Sequence, residues 1–165
     1  MGIRASHFEV VLAESERQIA AAARLFQEYA ESLGFSLDFQ HFDEELQNLP
    51  GVYAPPLGRL FLAQIGEEFV GCAALRPLDR YLCELKRLYV QPAFRGAGVG
   101  GVLMGAVLDA ARTLGYRKLR LDTIEPMMQE AIAMYREMGF HEIAPYRENP
   151  IPGALYLELD LAPNS

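Results

Sequence analysis

Tryptophan is absent, cysteine occurs twice and histidine three times in 165 residues, and each scarcity removes a class of explanation. Cys72 and Cys83 have neither disulfide-framework spacing nor a histidine neighbour, and His7, His41 and His141 are scattered, so no disulfide scaffold and no metal site is expected. No run approaches the ~18 apolar residues of a membrane span, and the amino terminus lacks the apolar centre of a secretory signal. A cytoplasmic protein without a membrane partner is the expectation. Positive charge is also short: 15 Lys and Arg stand against 22 Asp and Glu, a net of −7. With no basic stripe and no aromatic-basic interleave, nucleic acid is not an expected partner.

What is present suits one domain over residues 1–165, large enough to bury roughly two thirds of its unfolded surface. There is no internal repeat, low-complexity stretch or linker. A short apolar strand over 8–12 precedes Ser15-Glu16-Arg17-Gln18, a capping box that opens a helix with the stripe Ile19, Ala22, Phe26, Tyr29, Ala30 and Leu33. A second short helix is predicted over 39–49, ended by Pro50-Gly51. Strands over 60–65 and 69–75 form a hairpin around Gly66, and a third covers 82–90. A helix then runs from Val99 to Leu114, a strand over 117–124, a helix through Met128, Ala131, Ile132, Tyr135 and Met138, and two last strands over 140–143 and 154–161. The order β-α-α-β-β-β-α-β-α-β-β predicts an α/β (α+β) domain: a mixed central sheet of about six to seven strands flanked by helices.

Glycine is concentrated in "RGAGVGG", residues 95–101. Gly96 to Gly101 fits G-x-G-x-x-G, and Asp122 lies about 20 residues on, as a ribose-binding acid would in a dinucleotide fingerprint. The context contradicts that reading. The preceding strand, Cys83-Glu84-Leu85-Lys86-Arg87-Leu88-Tyr89-Val90, is rich in charge where a buried parallel strand should be continuously apolar. Five residues separate Val90 from Gly96, and no Gly-Lys-Ser/Thr closes a nucleotide-triphosphate loop. What remains is a set of backbone amides that a ligand can approach closely, leading into a helix amino terminus that favours an anion, with Arg95 beside it. A glycine-rich turn that only tightens packing accounts for one or two of these glycines, not for four and the arginine.

On these residues the chain resembles the GNAT superfamily, the GCN5-related N-acetyltransferases. Arg95-x-x-Gly98-x-Gly100 matches that family's pyrophosphate loop for acetyl-coenzyme A, "LKRLYVQPAFRGAGVG" its fourth strand and turn, and "AIAMYREMGF" its late helix and Gly-Phe strand entry. The resemblance covers residues 58–161 well. It implies a GNAT-like sheet and an acetyl-coenzyme A-dependent N-acetyltransferase acting by direct attack in a ternary complex, with a small amine or a protein amino terminus as acceptor. A homodimer is compatible with it. Coenzyme contacts are implied for Leu88, Tyr89, Val90, Arg95, Gly96, Ala97, Gly98, Val99 and Gly100, the backbone around 88–90 supplying the oxyanion donor. Glu84 is implied as the base, directly or through water, and Tyr135 as the acid for the departing thiolate. Read from the residues alone, Glu84 suits a solvated or Lys86-paired strand carboxylate equally, and Tyr135 a core aromatic. One position departs from the pattern: many relatives carry asparagine where this chain has Met128, which removes a hydrogen bond near the pantetheine arm. Tyr29, Phe35, Phe39, Tyr53 and Tyr146 are candidate walls of the acceptor cleft. The competing class is a non-catalytic acyl-coenzyme A sensor, which would need the cradle but not Glu84 and Tyr135 together.

Overall fold

The computed structural model describes residues 7–34, 36–37 and 41–161. Its elements follow the predicted order: β1 (Glu9–Leu12), α1 (Glu16–Ser32), α2 (Phe42–Gln47), β2 (Arg59–Ile65), β3 (Glu68–Pro77), β4 (Leu82–Val90), α3 (Val99–Thr113), β5 (Lys118–Ile124), α4 (Gln129–Glu137), β6 (His141–Glu142) and β7 (Ala154–Asp160). The second helix is shorter than the expected 39–49; Phe39 lies outside the described residues. The capping box forms as its spacing requires, with Ser15 Oγ accepting from the Gln18 amide at 3.2 Å and Gln18 Oε1 accepting from the Ser15 amide at 3.0 Å.

The strands make one seven-stranded sheet in the order β1-β2-β3-β4-β5-β7-β6. All neighbours are antiparallel except β4 and β5. Apolar clusters cover both faces. Leu103, Met104 and Val107 of α3 and Ile132 and Tyr135 of α4 pack on one side; Leu25 and Phe26 of α1 and Phe42 of α2 pack on the other. β3 is consequently apolar without alternation, sending Val70, Ala73 and Leu75 to the first cluster and Phe69, Cys72 and Ala74 to the second. The two free cysteines are buried, and burial pushes both thiols up.

Two features of β4 position everything that follows. Ala74 pairs with Lys86 but Cys72 pairs with Tyr89, so Arg87 and Leu88 together oppose Ala73 in a bulge. Arg87 takes a left-handed backbone there (φ 60°), a conformation costing roughly 1–2 kcal/mol for a residue with a Cβ. Second, the parallel ladder to β5 is short, joining only Leu82, Cys83 and Glu84 to Lys118, Leu119 and Arg120. Beyond Glu84 the strands fork.

α3 sits close over the sheet because Gly71 leaves room: a Cβ there would stand 3.0 Å from the Tyr89 carbonyl oxygen and 3.2 Å from Leu103 Cδ1. Gly105, within α3, has open space at the corresponding point. Opposite outcomes follow for two small substitutions. Gly71→Val overfills the α3 seat and should lower stability by about 1–3 kcal/mol, whereas Gly105→Ala should raise it by roughly 0.5–1 kcal/mol through helix propensity. Thermal melting of both variants checks this, and equal shifts of one sign would contradict the packing described.

Candidate active site

The fork opens into two connected hollows. The larger is a groove of about 630 Å³, within the size range of coenzyme and ligand sites. Its walls are the end of β4, the turn into α3 and the start of α4. Gly98 caps α3 in the left-handed region (φ 85°), as does Gly96 two residues earlier (φ 85°). Gly100 and Gly101 have no such backbone demand. A Cβ at Gly96 or Gly101 would meet nothing within 4 Å, and one at Gly100 only Val90 Cγ2 at 3.9 Å. The protein's own packing therefore does not account for glycine at 100 and 101. Their bare backbone lines the groove, beside the amide donors of a helix amino terminus.

Arg95 stands at the groove's mouth, its Nε donating to the Val90 carbonyl at 2.9 Å and its guanidinium 5.7 Å from the centre of the Tyr89 ring. Leu88, Tyr89, Val90, Gly96, Gly98, Val99 and Gly100 all line the groove. Ala97 does not; it packs against the core beneath α3.

The smaller hollow, about 60 Å³, lies between the parted strands. Leu85 to Leu88 come from β4, Leu121 to Ile124 from β5, and Tyr29, Met128, Ala131 and Tyr135 from the surrounding helices. Tyr135 thus reaches the cavity; its ring also packs 5.4 Å from Phe140, its hydroxyl makes no hydrogen bond among the described residues, and burial raises its pKa. The Met128 thioether accepts a hydrogen bond from Thr123 Oγ1 at 3.0 Å. Lys86 also lines the cavity, its ammonium pKa pushed down to about 8, first by burial and then by the neighbouring Arg87 charge.

Glu84 occupies a different place from the one its proposed role suggests. It lines neither hollow and has no solvent exposure. Its Oε2 accepts from the Tyr146 hydroxyl at 2.6 Å and pairs with Arg147 Nη2 at 2.7 Å; Arg76 Nε lies 3.4 Å from Oε1, an ion pair without hydrogen-bond geometry. Burial alone would raise its pKa, but the Lys86 charge, Arg147 and the Tyr146 hydroxyl outweigh it and hold the carboxyl below its ordinary range. Arg147 reaches on to Asp122 at 3.7 Å, and Asn149 Nδ2 donates to the same carboxylate at 3.2 Å. Asp122, set aside with the dinucleotide reading, is the carboxylate that lines the cavity.

The acceptor walls divide. Tyr29 lines both hollows. Tyr53 is not a wall: it is 1% exposed, packed edge-on to Phe26 at 6.1 Å beneath the sheet. Tyr146 turns to Glu84 and lines neither hollow, and Phe35 and Phe39 lie outside the described residues. Lys86, Thr123 and Asn149 were missed as cavity residues because only the forking of β4 from β5, and the folding back of the 143–153 loop, brings them there. Among the described residues no group of three or more His, Cys, Asp or Glu side chains is placed to hold a metal, and no helix is long and apolar enough to cross a membrane.

Comparison with known proteins agrees with this architecture. The profile of the acetyltransferase (GNAT) family matches residues 20–140. An uncharacterized N-acetyltransferase of Schizosaccharomyces pombe is 36% identical over 140 residues, 84% of this chain and 85% of its own length. A GNAT-family acetyltransferase of Staphylococcus aureus shares the fold with a TM-score of 0.78 at 19% identity, covering 94% of this chain and 99% of that one. A GNAT-family acetyltransferase of Elizabethkingia anophelis, solved with acetyl-coenzyme A bound, gives a TM-score of 0.54 at 26% identity over 62% of this chain and 76% of its own. The chain belongs to the GNAT family of acetyltransferases. It is an acyltransferase, and the non-catalytic sensor reading gives way to an enzyme.

The buried Glu84 network carries a pH prediction. A carboxyl whose folded pKa is depressed contributes stability that is present above its unfolded value and lost as pH falls through the folded one. Glu84→Gln should therefore be less stable than wild type at pH 7, by about 2–3 kcal/mol, below the full cost of breaking a buried pair because Arg76 and Arg147 keep access to water. The gap should shrink on acidification below 4.5, the ordinary carboxyl value. Urea melts across this range check it; a pH-independent gap would show that the charge of Glu84 is not what matters.

Proposed function

We propose that the enzyme transfers an acetyl group from acetyl-coenzyme A to a primary amine, by direct attack of the amine in a ternary complex. The observation that carries this reading is the glycine-lined groove, where the protein's own packing does not account for glycine at 100 and 101, lying against a small half-open cavity. The backbone at 96–101 would receive the pyrophosphate, with Arg95 adding positive charge. The coenzyme, when bound, supplies an activated acetyl thioester. A groove of this volume holds a coenzyme arm; the cavity, about 60 Å³, suits a small acyl group such as acetyl.

An amine with a pKa near 10.4 is under ~0.1% neutral at pH 7, so the site must draw off a proton. Asp122 is the carboxylate in contact with the cavity and would meet the acceptor's ammonium; Glu84 acts one step behind, fixing Tyr146 and Arg147 and through Arg147 the position of Asp122. The β4 backbone over 88–90 has no β5 ladder partner, which leaves that edge available to stabilise an oxyanion. Tyr135 would return a proton to the thiolate, and burial keeps its hydroxyl protonated at neutral pH. The acceptor class is a small-molecule amine or a protein amino terminus.

Gly100→Glu separates binding from folding. Position 100 is in the first turn of α3, has no positive φ and is open beyond Cβ, so the glutamate should preserve or raise stability through propensity and the helix dipole. It should nevertheless abolish acetyl-coenzyme A binding by calorimetry. Unchanged affinity in that folded variant overturns the cradle. For the acid, Tyr135→Phe keeps the ring and removes the hydroxyl; thiol release with any accepted amine should fall about tenfold or more. Full turnover would remove Tyr135 from the chemistry.

A further inference from the structure

Five residues line both the groove and the cavity: Tyr29, Leu33, Leu88, Met128 and Ala131. They line the passage where the groove and the cavity adjoin. Tyr29 is set edge-on to Tyr89, ring centres 6.2 Å apart. Leu33 is buried at the end of α1, and Ala131 carries only a methyl group. Met128 alone has a long unbranched side chain that can shift by rotamer.

That side chain is tied down at both ends. The Met128 amide donates to the Ile124 carbonyl at 3.0 Å, and its own carbonyl accepts from the Ile132 amide at 2.9 Å, fixing the residue as the cap of α4. Its thioether accepts from Thr123 Oγ1 at 3.0 Å. Thr123 is itself 5% exposed on β5 and lines the cavity. The sulfur is thereby held against the β5 wall, inside the passage rather than out in the groove.

We propose that Met128, latched by Thr123, sets the length of acyl chain that the enzyme accepts, admitting acetyl and excluding chains two or more carbons longer. This rests on the reading that an acyl-coenzyme A lies in the groove with its thioester at the passage. The acyl group and the attacking nitrogen must then share about 60 Å³. Methylenes added to the acyl group press on the thioether that walls the passage, and moving it breaks the Thr123 bond and leaves that buried hydroxyl without a partner.

Calorimetric titration with coenzyme A, acetyl-, propanoyl-, butanoyl- and hexanoyl-coenzyme A tests this without an acceptor amine. In wild type, butanoyl-coenzyme A should bind at least about tenfold more weakly than acetyl-coenzyme A. Met128→Ala should raise the butanoyl-to-acetyl affinity ratio by about tenfold, the worth of two methylenes buried without obstruction. Thr123→Val keeps the shape and removes the latch, and should raise the ratio part of the way. Met128→Leu restores bulk without the sulfur and should keep the exclusion. A wild type that binds butanoyl- and acetyl-coenzyme A equally, or a Met128→Ala protein with an unchanged ratio, overturns the proposal. Coenzyme A carries no acyl group and reports the groove alone, so its failure to bind wild type would instead bring down the coenzyme reading itself.

Discussion

The site exists because one strand is bent and held bent. Arg87 adopts a left-handed backbone in the middle of β4, and its guanidinium gives both Nε and Nη2 to the carboxylate of Glu45 in α2, each at 2.9 Å. The same group stands 5.2 Å from the centre of the Phe42 ring. A bidentate, nearly buried pair of this kind compensates a local strain of one or two kcal/mol. It also ties the short second helix to the point where β4 turns from β5.

The charged residues of β4 then divide into two tasks. Arg87 is structural, and Glu84 anchors the loop after β6 through Tyr146 and Arg147. The T-shaped contact of Tyr146 with Tyr156, at 5.3 Å, fixes the same loop to β7. Arg147 is therefore the link between the buried carboxylate of one strand and the cavity-facing carboxylate of the next. The shared arginine places one positive charge between the two carboxylates, 2.7 Å from Glu84 and 3.7 Å from Asp122. Lys86 lies beside them, its ammonium pKa pushed down to about 8 by burial and the Arg87 charge against the pull of Glu84 and Asp122.

The charge in 83–90 suggested in the sequence that this is not a buried parallel strand, yet β4 is buried and pairs in parallel with β5; Glu84, Lys86 and Arg87 are buried with it. Period-2 alternation cannot be followed through a bulge, because the extra residue switches the faces of everything after it. Glu84 and Lys86 precede the bulge; what meets the Glu84 carboxylate is decided instead by the return of the loop after β6, which brings Tyr146 and Arg147 to it, with Arg76 and the Lys86 charge beside them. Tyr53 failed for a related reason. An aromatic in a turn-rich loop resembles a cleft wall, yet the loop folds under α1 and delivers the ring to the core.

By itself the sequence determined the element order, the glycine-rich turn into α3 and the family. All of these are written in local periodicity, capping residues and a short glycine spacing, which act over a few residues and need no distant partner. Only the tertiary structure decided that β7 lies between β5 and β6, that the β4–β5 ladder stops at Glu84, and that Asp122, Thr123 and Met128 meet around one cavity. Those facts depend on contacts between residues tens of positions apart. They are chosen by which arrangement buries both apolar faces while leaving every buried charge a partner, a balance struck over the whole chain rather than in any one stretch of it.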